Sequence, residues 1–224
     1  MPSNSKKNSS KTFPIVVSLA VVAMIGVVIF SVTSTNKVVK AESKQEFSPS
    51  VAVSPVTIDG KIGESKLSSY NEGAQDDAVG KLVPKISAQD FKGNNVEVVP
   101  GEKPYVITVL AHWCPHCQVE VPKIVELKKN GGLPDDIEFY AVASGTSDQR
   151  PNYPPSQWLF EEDWPFSKMA DDKNGSIASA LGLTGYPYLI FVNADGTVAQ
   201  RLSGEKDASV IAAAAQAISQ EKKK

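Results

Sequence analysis

The chain has 224 residues, of which 42% are hydrophobic and 21% are charged, and its formal net charge is -2. A chain of this length has room for one globular domain and additional segments. The slight excess of acidic residues excludes nucleic acid as the main partner, because nucleic acid selects basic surfaces. Only two cysteines occur, Cys114 and Cys117, which excludes a disulfide-rich scaffold and a four-cysteine zinc site.

The N-terminal region predicts a membrane anchor. Residues 1–12 are polar and basic and predict a cytoplasmic tail, and residues 13–33 open with twenty uncharged residues, FPIVVSLAVVAMIGVVIFSV. As a helix these residues span about 30 Å, the thickness of the hydrocarbon core of a bilayer. A cleavable signal peptide has a shorter apolar region, and a buried soluble helix keeps a polar face. We therefore expect an uncleaved, single-pass transmembrane signal anchor, with the lysines before it in the cytoplasm and the rest of the chain outside.

The remaining chain divides by composition. Residues 34–75 are rich in Ser, Glu, Lys, Gly and Asn, which predicts a flexible extracytoplasmic linker, with one strand at residues 51–62 as an alternative for part of it. Within residues 76–220 the apolar pattern predicts strands at 96–99, 105–111, 137–143, 188–192 and 197–202, and helices at 115–129, 156–162, 176–181 and 207–220. This order predicts an α/β domain in which helices cover both faces of a mixed sheet.

Both cysteines and both histidines of the chain fall in residues 112–117, HWCPHC, between a predicted buried strand and a helix. Cys114 is expected at the helix N-terminus, where unpaired backbone N–H groups and the helix dipole stabilise a thiolate. Pro115 suits the first helical turn, where a missing N–H costs nothing. Cys117 follows one turn later on the buried face. We expect Cys114 to act as the nucleophile and Cys117 to resolve the mixed disulfide.

A metal site is the main alternative for this hexapeptide. The potential donors are His112, Cys114, His116 and Cys117, but one strand–helix junction can hardly wrap all four around a zinc ion. We therefore expect no metal and no cofactor other than a redox-active Cys114–Cys117 disulfide. His112 is interpreted as structural or solvated, and residues 150–155 as a rigid surface loop or a border of the substrate groove. Asp171 and Asp172 are interpreted as a solvated pair.

At this point the sequence resembles the thioredoxin superfamily, in which Trp-Cys-x-x-Cys follows a buried strand. Its TlpA-type and redoxin members are the nearest pattern, and the resemblance covers roughly residues 76–220. The residues that carry it are Trp113, Cys114 and Cys117 of the motif, Glu120 and Pro122 in the pattern CxxCxxExP, residues 79–84 and 90–93 of the entry segment, and Gly185-Tyr186-Pro187 at the position of the superfamily's cis-proline.

The resemblance implies a thioredoxin-like fold and thiol–disulfide oxidoreductase activity. It implies that Trp113 packs beside the cysteines, and that the backbone of Tyr186, together with a cis Pro187, contacts the substrate. Thr108 stands where thioredoxin has a buried acid, which leaves Glu120 as the acidic candidate for moving protons near the motif. The other interpretation of Glu120 is a solvated helix residue.

One departure from the TlpA pattern sets the expected direction of the reaction. Pro115-His116 is the dipeptide of DsbA-type oxidants, and an imidazole beside Cys114 stabilises the reduced form, which makes a protein a better oxidant. We therefore expect an oxidant that exchanges disulfides with exported proteins and is reoxidised by a membrane redox partner. The alternatives are a TlpA-like reductase, for example in cytochrome c maturation, and a non-catalytic chaperone or metal-binding module.

Overall fold

The computed structural model describes residues 45–221. Their strands are β1 (Ala52–Ser54), β2 (Thr57–Ile58), β3 (Lys61–Ile62), β4 (Lys85–Gln89), β5 (Asn95–Val98), β6 (Tyr105–Leu110), β7 (Glu138–Ala143), β8 (Ser167–Ala170), β9 (Tyr188–Val192) and β10 (Val198–Ser203). Their helices are α1 (Pro115–Lys129), α2 (Pro155–Glu161), α3 (Ser176–Ala180) and α4 (Ala208–Glu221).

The main sheet is mixed, as the sequence predicts. Its strand order is β1-β4-β8-β7-β6-β9-β10, and β5 pairs with β4 beside this path. Strands β6, β7 and β8 are parallel, whereas β9 runs antiparallel to β6 and β10 antiparallel to β9. Strands β2 and β3 form a separate hairpin. Strands β6 and β9 are buried along their whole length, which explains their continuous apolar sequences.

Helices cover both faces of the sheet, and the alternation of side chains along β6 shows this directly. Val106 and Leu110 point to the core beneath α1, α2 and α4, whereas Ile107 and Val109 point to the core beneath α3. The dithiol-bearing helix α1 packs against α4 on the first of these faces. The predicted α/β architecture is therefore confirmed for the described residues.

Outside the predicted linker, two strands of the sheet escaped prediction. Strand β4 has the sequence KISAQ and β8 has the sequence SKMA, and both mix polar with apolar residues. In β4 the buried residues are Ile86 and Ala88, with half-buried polar neighbours between them. A short strand with one small apolar residue on its buried face gives a weak periodic signal.

The structure corrects the linker prediction for residues 45–75. Strand β1 pairs antiparallel with β4 in the main sheet, and the side chain of Leu67 is 1% exposed. The backbone of the same segment is bound to the end of α3, because Leu67 N donates to Ala180 O (2.8 Å) and Tyr70 N donates to Gly182 O (3.0 Å). Composition did not predict this packing, because only a few apolar contacts and backbone hydrogen bonds bind this otherwise polar segment to the domain.

The membrane prediction falls mostly outside the structure. Residues 1–12, the predicted anchor at 13–33 and residues 34–44 lie outside the described residues. Within residues 45–221, no helix has both the length and the apolar character needed to cross a bilayer.

Candidate active site

The dithiol lies at the connection between the central strand β6 and helix α1. Cys114 is the N-cap residue of α1, with Pro115 in the first turn, and its backbone N–H donates to Ala111 O (3.0 Å). Both cysteines are free thiols. Cys114 is 7% exposed and Cys117 is fully buried behind it. Of the two sulfurs, only that of Cys114 is within reach of a substrate at the surface.

Cys114 faces the segment that precedes β9. Its thiol lies 3.7 Å from the Tyr186 carbonyl oxygen, in donor geometry. The Tyr186–Pro187 peptide bond is cis, as the resemblance implies. The structure therefore brings Tyr186 and Pro187, the predicted substrate-contact residues, next to the predicted nucleophile.

Trp113 forms one wall of the site. Its ring meets that of Tyr186 edge to face, with centroids 5.9 Å apart, and its Nε1 donates to Gly145 O (2.8 Å). The Arg150 guanidinium lies 5.0 Å from the centre of the Trp113 ring. Gly145 and Arg150 belong to the loop 144–155, so this loop borders the site and fixes the indole beside the motif.

Asp171 is buried behind Tyr186, to which it is linked through Ser144. It is 1% exposed, which corrects the interpretation of Asp171 and Asp172 as a solvated pair. Its carboxylate accepts backbone hydrogen bonds from Ile177 (2.9 Å) and Ala178 (3.1 Å) and also contacts Ser144. The Ser144 hydroxyl in turn accepts a hydrogen bond from the Tyr186 hydroxyl (3.4 Å). Burial, partly offset by these hydrogen bonds, raises the pKa of Asp171.

His112 is a buried structural residue. Its Nδ1 lies 2.6 Å from Pro151 O, and its Nε2 accepts a hydrogen bond from Ser147 N (3.2 Å). A carbonyl only accepts and an amide only donates, so the ring is neutral with its proton on Nδ1. Burial accordingly lowers the pKa of His112. With both ring nitrogens engaged, His112 has no donor atom left for a metal.

His116 has the opposite environment. Its side chain is 65% exposed, and its Nδ1 lies 3.2 Å from Glu205 Oε2. The other oxygen of the same carboxylate, Oε1, binds Lys123 Nζ at 2.7 Å. Sequence reasoning missed Glu205 and Lys123. Glu205 lies 89 residues after His116, and no local pattern signals that the loop after β10 reaches α1.

Glu120 is buried beneath the dithiol, which contradicts its interpretation as a solvated helix residue. It is fully buried, and its Oε2 accepts a hydrogen bond from Lys206 N (2.8 Å). Among residues 45–221, its Oε1 has no hydrogen-bond partner. Burial raises the pKa of Glu120 to about 7, although Lys206 and Lys123 oppose the shift. This carboxyl therefore changes protonation state near neutral pH.

Cys117 shares this environment. Burial is the largest cause that raises the pKa of its thiol, with smaller contributions from Cys114 and Glu120, while a backbone hydrogen bond to Ala111 opposes them. A buried thiol that resists ionisation thus lies beside a carboxyl that can accept a proton at neutral pH. This combination can move a proton within the site.

Fold and dithiol together define the class of protein as a thioredoxin-like thiol–disulfide oxidoreductase. Two cysteines at the start of a helix that follows the central strand, opposite a cis-proline, are its hallmarks here. The Redoxin family model matches residues 78–218, well over half of the chain, and the chain belongs to that family.

Named relatives agree with this class. The thiol:disulfide interchange protein DsbE of Vibrio cholerae is 30% identical over 131 residues, which cover 57% of this chain and 66% of the relative. The thiol:disulfide interchange protein CycY of Rhizobium leguminosarum bv. viciae is 33% identical over 99 residues, which cover 44% of this chain and 49% of the relative. The matches thus span about half to two thirds of the length of these two relatives.

A solved structure supports the fold. A Chlorobium tepidum protein assigned as a thiol:disulfide interchange protein DsbE superposes with a TM-score of 0.52 at 16% identity. The match covers 62% of this chain and 96% of that protein. At this identity the likeness shows the thioredoxin-like fold alone.

Proposed function

We propose that the chain is a membrane-anchored, extracytoplasmic thiol–disulfide reductase that acts on exported proteins through Cys114 and Cys117. The observation that carries the proposal is the pairing, in a Redoxin-family chain, of a slightly exposed Cys114 with a fully buried Cys117. Such an arrangement lets one sulfur meet a substrate while the other stays protected until the first has reacted. No metal and no further cofactor takes part in this scheme.

The proposed reaction is a two-step exchange. The Cys114 thiolate attacks one sulfur of a substrate disulfide, so that a mixed disulfide forms and the other substrate sulfur leaves as a thiolate. The Cys117 thiolate then attacks Cys114 Sγ, which closes the Cys114–Cys117 disulfide and releases the second substrate thiolate. Two electrons pass to the substrate. A membrane protein that carries a reduced dithiol must restore the enzyme by the reverse exchange.

Glu120 is assigned to the second step. Cys117 must lose its proton before it attacks, and its burial opposes that loss. A carboxyl with a pKa of about 7 is ionised in half of the molecules at neutral pH and can take the proton. This role compensates for Thr108, which stands at the position where thioredoxin has a buried acid.

Trp113, Tyr186 and Pro187 are assigned to substrate contact. The Tyr186 carbonyl already faces the Cys114 thiol at 3.7 Å, so a substrate segment bound there would bring its disulfide to the nucleophile. Trp113 and Tyr186 form the adjoining wall with their crossed rings. Pro115 begins helix α1 at a position where a backbone N–H would have no partner, and Cys114 caps the helix without a side-chain hydrogen bond to it.

The reductase direction replaces the expectation of an oxidant. That expectation depends on the dipeptide Pro115-His116, and the comparisons give it no support. The DsbE and CycY relatives fit the TlpA-like alternative better. Maturation of cytochrome c is one process outside the cytoplasm that would use such a reductase, because haem attachment requires reduced cysteines.

The reduction potential of the full-length chain tests this proposal. In glutathione buffers of graded composition, we expect a value below about -240 mV, near that of thioredoxin at about -270 mV. A value above about -180 mV would place the chain with disulfide donors and overturn the reductase direction. As a control for the assigned nucleophile, Cys114→Ser should show no exchange with an unfolded disulfide-containing substrate. Measurable turnover by that variant would mean that Cys114 is not the nucleophile.

A further inference from the structure

The position of His116 conflicts with the effect expected from its sequence. An imidazole after Cys114-Pro115 is expected to stabilise the Cys114 thiolate and so make the protein oxidising. In the structure the ring is hydrogen-bonded to Glu205, with 3.2 Å between Nδ1 and Oε2. Among residues 45–221, the ring makes no hydrogen bond to Cys114. A carboxylate on the loop after β10 thus binds the group that distinguishes this motif.

Glu205 is itself held in place. Lys123, two turns along helix α1 from His116, binds its other oxygen at 2.7 Å. The same lysine donates to Lys206 O (3.3 Å), and Lys206 N donates to Glu120 (2.8 Å). These contacts bind the loop to α1 at Glu205 and at the next residue, Lys206. Hydrogen bonds from Lys123 and then from His116 lower the pKa of Glu205, so its carboxylate is ionised at neutral pH.

We propose that Glu205 is a positioning residue that holds the His116 ring away from Cys114 and cancels part of its charge, which keeps the dithiol reducing despite the Pro-His dipeptide. This inference rests on the proposed dithiol chemistry of Cys114 and Cys117. The residue that adjusts the reduction potential of the dithiol therefore lies after the last strand of the sheet, 89 positions after His116.

Two effects of Glu205 act in the same direction. The hydrogen bond to Glu205 competes with any approach of the ring to the Cys114 sulfur. In addition, when His116 carries a proton, the paired negative charge weakens the field of the imidazolium at Cys114. Both effects destabilise the thiolate relative to a free imidazolium, and both therefore favour the oxidised protein.

The test is the equilibrium of the full-length chain with glutathione at pH 7. We expect Glu205→Gln to shift this equilibrium about five- to tenfold toward reduced protein. At about 29.6 mV per tenfold change, this is a rise in reduction potential of about 20–30 mV. No shift, or a shift toward oxidised protein, would overturn the inference. Because only the difference between variant and wild type matters, the test does not depend on whether the wild-type potential is that of a reductase.

A second pair of variants shows whether the effect passes through His116. In a His116→Asn background, Glu205→Gln should change the equilibrium less than twofold. A shift that persists there would mean that Glu205 acts directly on the thiolate, and the positioning role would be wrong. Glu205→Asp keeps the charge but withdraws the carboxylate by one methylene, so it should shift the equilibrium in the same direction as Glu205→Gln. No shift with Asp contradicts positioning.

The matched control is Glu72→Gln. The Glu72 carboxylate binds Lys206 Nζ (3.1 Å) on the same loop without touching His116. This variant should leave the equilibrium unchanged. A shift equal to that of Glu205→Gln would mean that losing any carboxylate paired with a lysine at this loop has the same effect. Far-UV circular dichroism checks that the variants fold. The ¹⁵N shifts of the His116 ring, one of only two in the chain, should change in Glu205→Gln and not in Glu72→Gln.

Discussion

Glu120 shows at the residue scale how burial converts an ordinary helix position into a proton acceptor. The pattern CxxCxxE fixes its place one turn after Cys117, yet its state depends on the loop residue Lys206 and on the closure of the core around it. The carboxyl is fully buried and receives one backbone hydrogen bond, and its pKa rises from 4.5 to about 7. This shift has a consequence for stability that can be measured apart from catalysis.

We expect Glu120→Gln to remove a specific pH dependence of stability. Because the folded pKa exceeds the unfolded one, the stability that this group contributes is fully present below about pH 4.5 and is lost as pH rises through 7. At about 1.36 kcal/mol per unit, the loss is roughly 2–4 kcal/mol. The measurement is urea unfolding of the reduced wild-type and variant proteins between pH 5 and 8. Over this range the unfolding free energy of the variant should rise by that amount relative to that of the wild type.

Comparing the variant with the wild type isolates Glu120 from other titrating groups. His112 acts in the opposite sense. Because its pKa is lowered in the folded protein, the stability that it contributes is lost as pH falls below about 6.5. The control is Glu126→Gln, an exposed residue on the same helix, which should keep the wild-type pH dependence. If the difference between Glu120→Gln and wild type stays constant across this range, the carboxyl does not titrate near neutrality.

At the scale of elements, two adjacent acidic residues just before α3 have different roles at its start. Asp171 is buried and accepts hydrogen bonds from Ile177 N and Ala178 N, whereas Asp172 is half-buried and accepts from Asn174 N (2.9 Å) and Ser176 N (3.0 Å). Side chains that accept from free backbone N–H groups stabilise a helix start. Asp171 therefore links α3 to the wall of the active site through Ser144.

We expect Asp171→Ala to cost about 2–4 kcal/mol of unfolding free energy, because it leaves two buried N–H groups without acceptors. Asp172→Ala is the matched control and should cost about 1 kcal/mol, because water can reach the groups that it leaves. Chemical denaturation of both variants measures the difference. Equal costs for the two variants would contradict the assignment of Asp171 as the buried support of α3.

The elements that could be predicted from the sequence are those whose start, end or burial is set by residues close together in the chain. Helix α1 has its predicted bounds because Pro115 starts it, Asn130 and Gly131 end it, and apolar residues repeat on one face. Strands β6 and β9 were predicted because each is a continuous run of apolar residues. The contact between His116 and Glu205 obeys no local rule, because it depends on where the loop after β10 meets α1. Thus the dithiol could be predicted and its electrostatic surroundings could not.

At the scale of the whole described region, a segment with the composition of a linker is part of the fold. The end of α3 and residues 67–70 run so close that Gly182, with φ of +77°, has no room for a Cβ beside the Ser68 carbonyl oxygen. The buried guanidinium of Arg201 on β10 joins the same segment, because it donates to Ser68 O (2.8 Å) and pairs with Asp76. A free tether would make none of these contacts.

Leu67 and Ile62 provide a matched test of this integration, since both are large apolar residues within the segment. Leu67 is 1% exposed and Ile62 is 78% exposed. Leu67→Ala should cost about 2–4 kcal/mol of unfolding free energy, because it removes buried methyl groups and leaves a cavity in the core beneath α3. Ile62→Ala should cost less than about 0.5 kcal/mol. Urea unfolding of residues 45–221 measures both. If both variants matched the wild type, the segment would be a tether after all. A loss for Leu67→Ala alone means that the folded domain begins well before residue 76, and that a fragment starting there lacks part of its core.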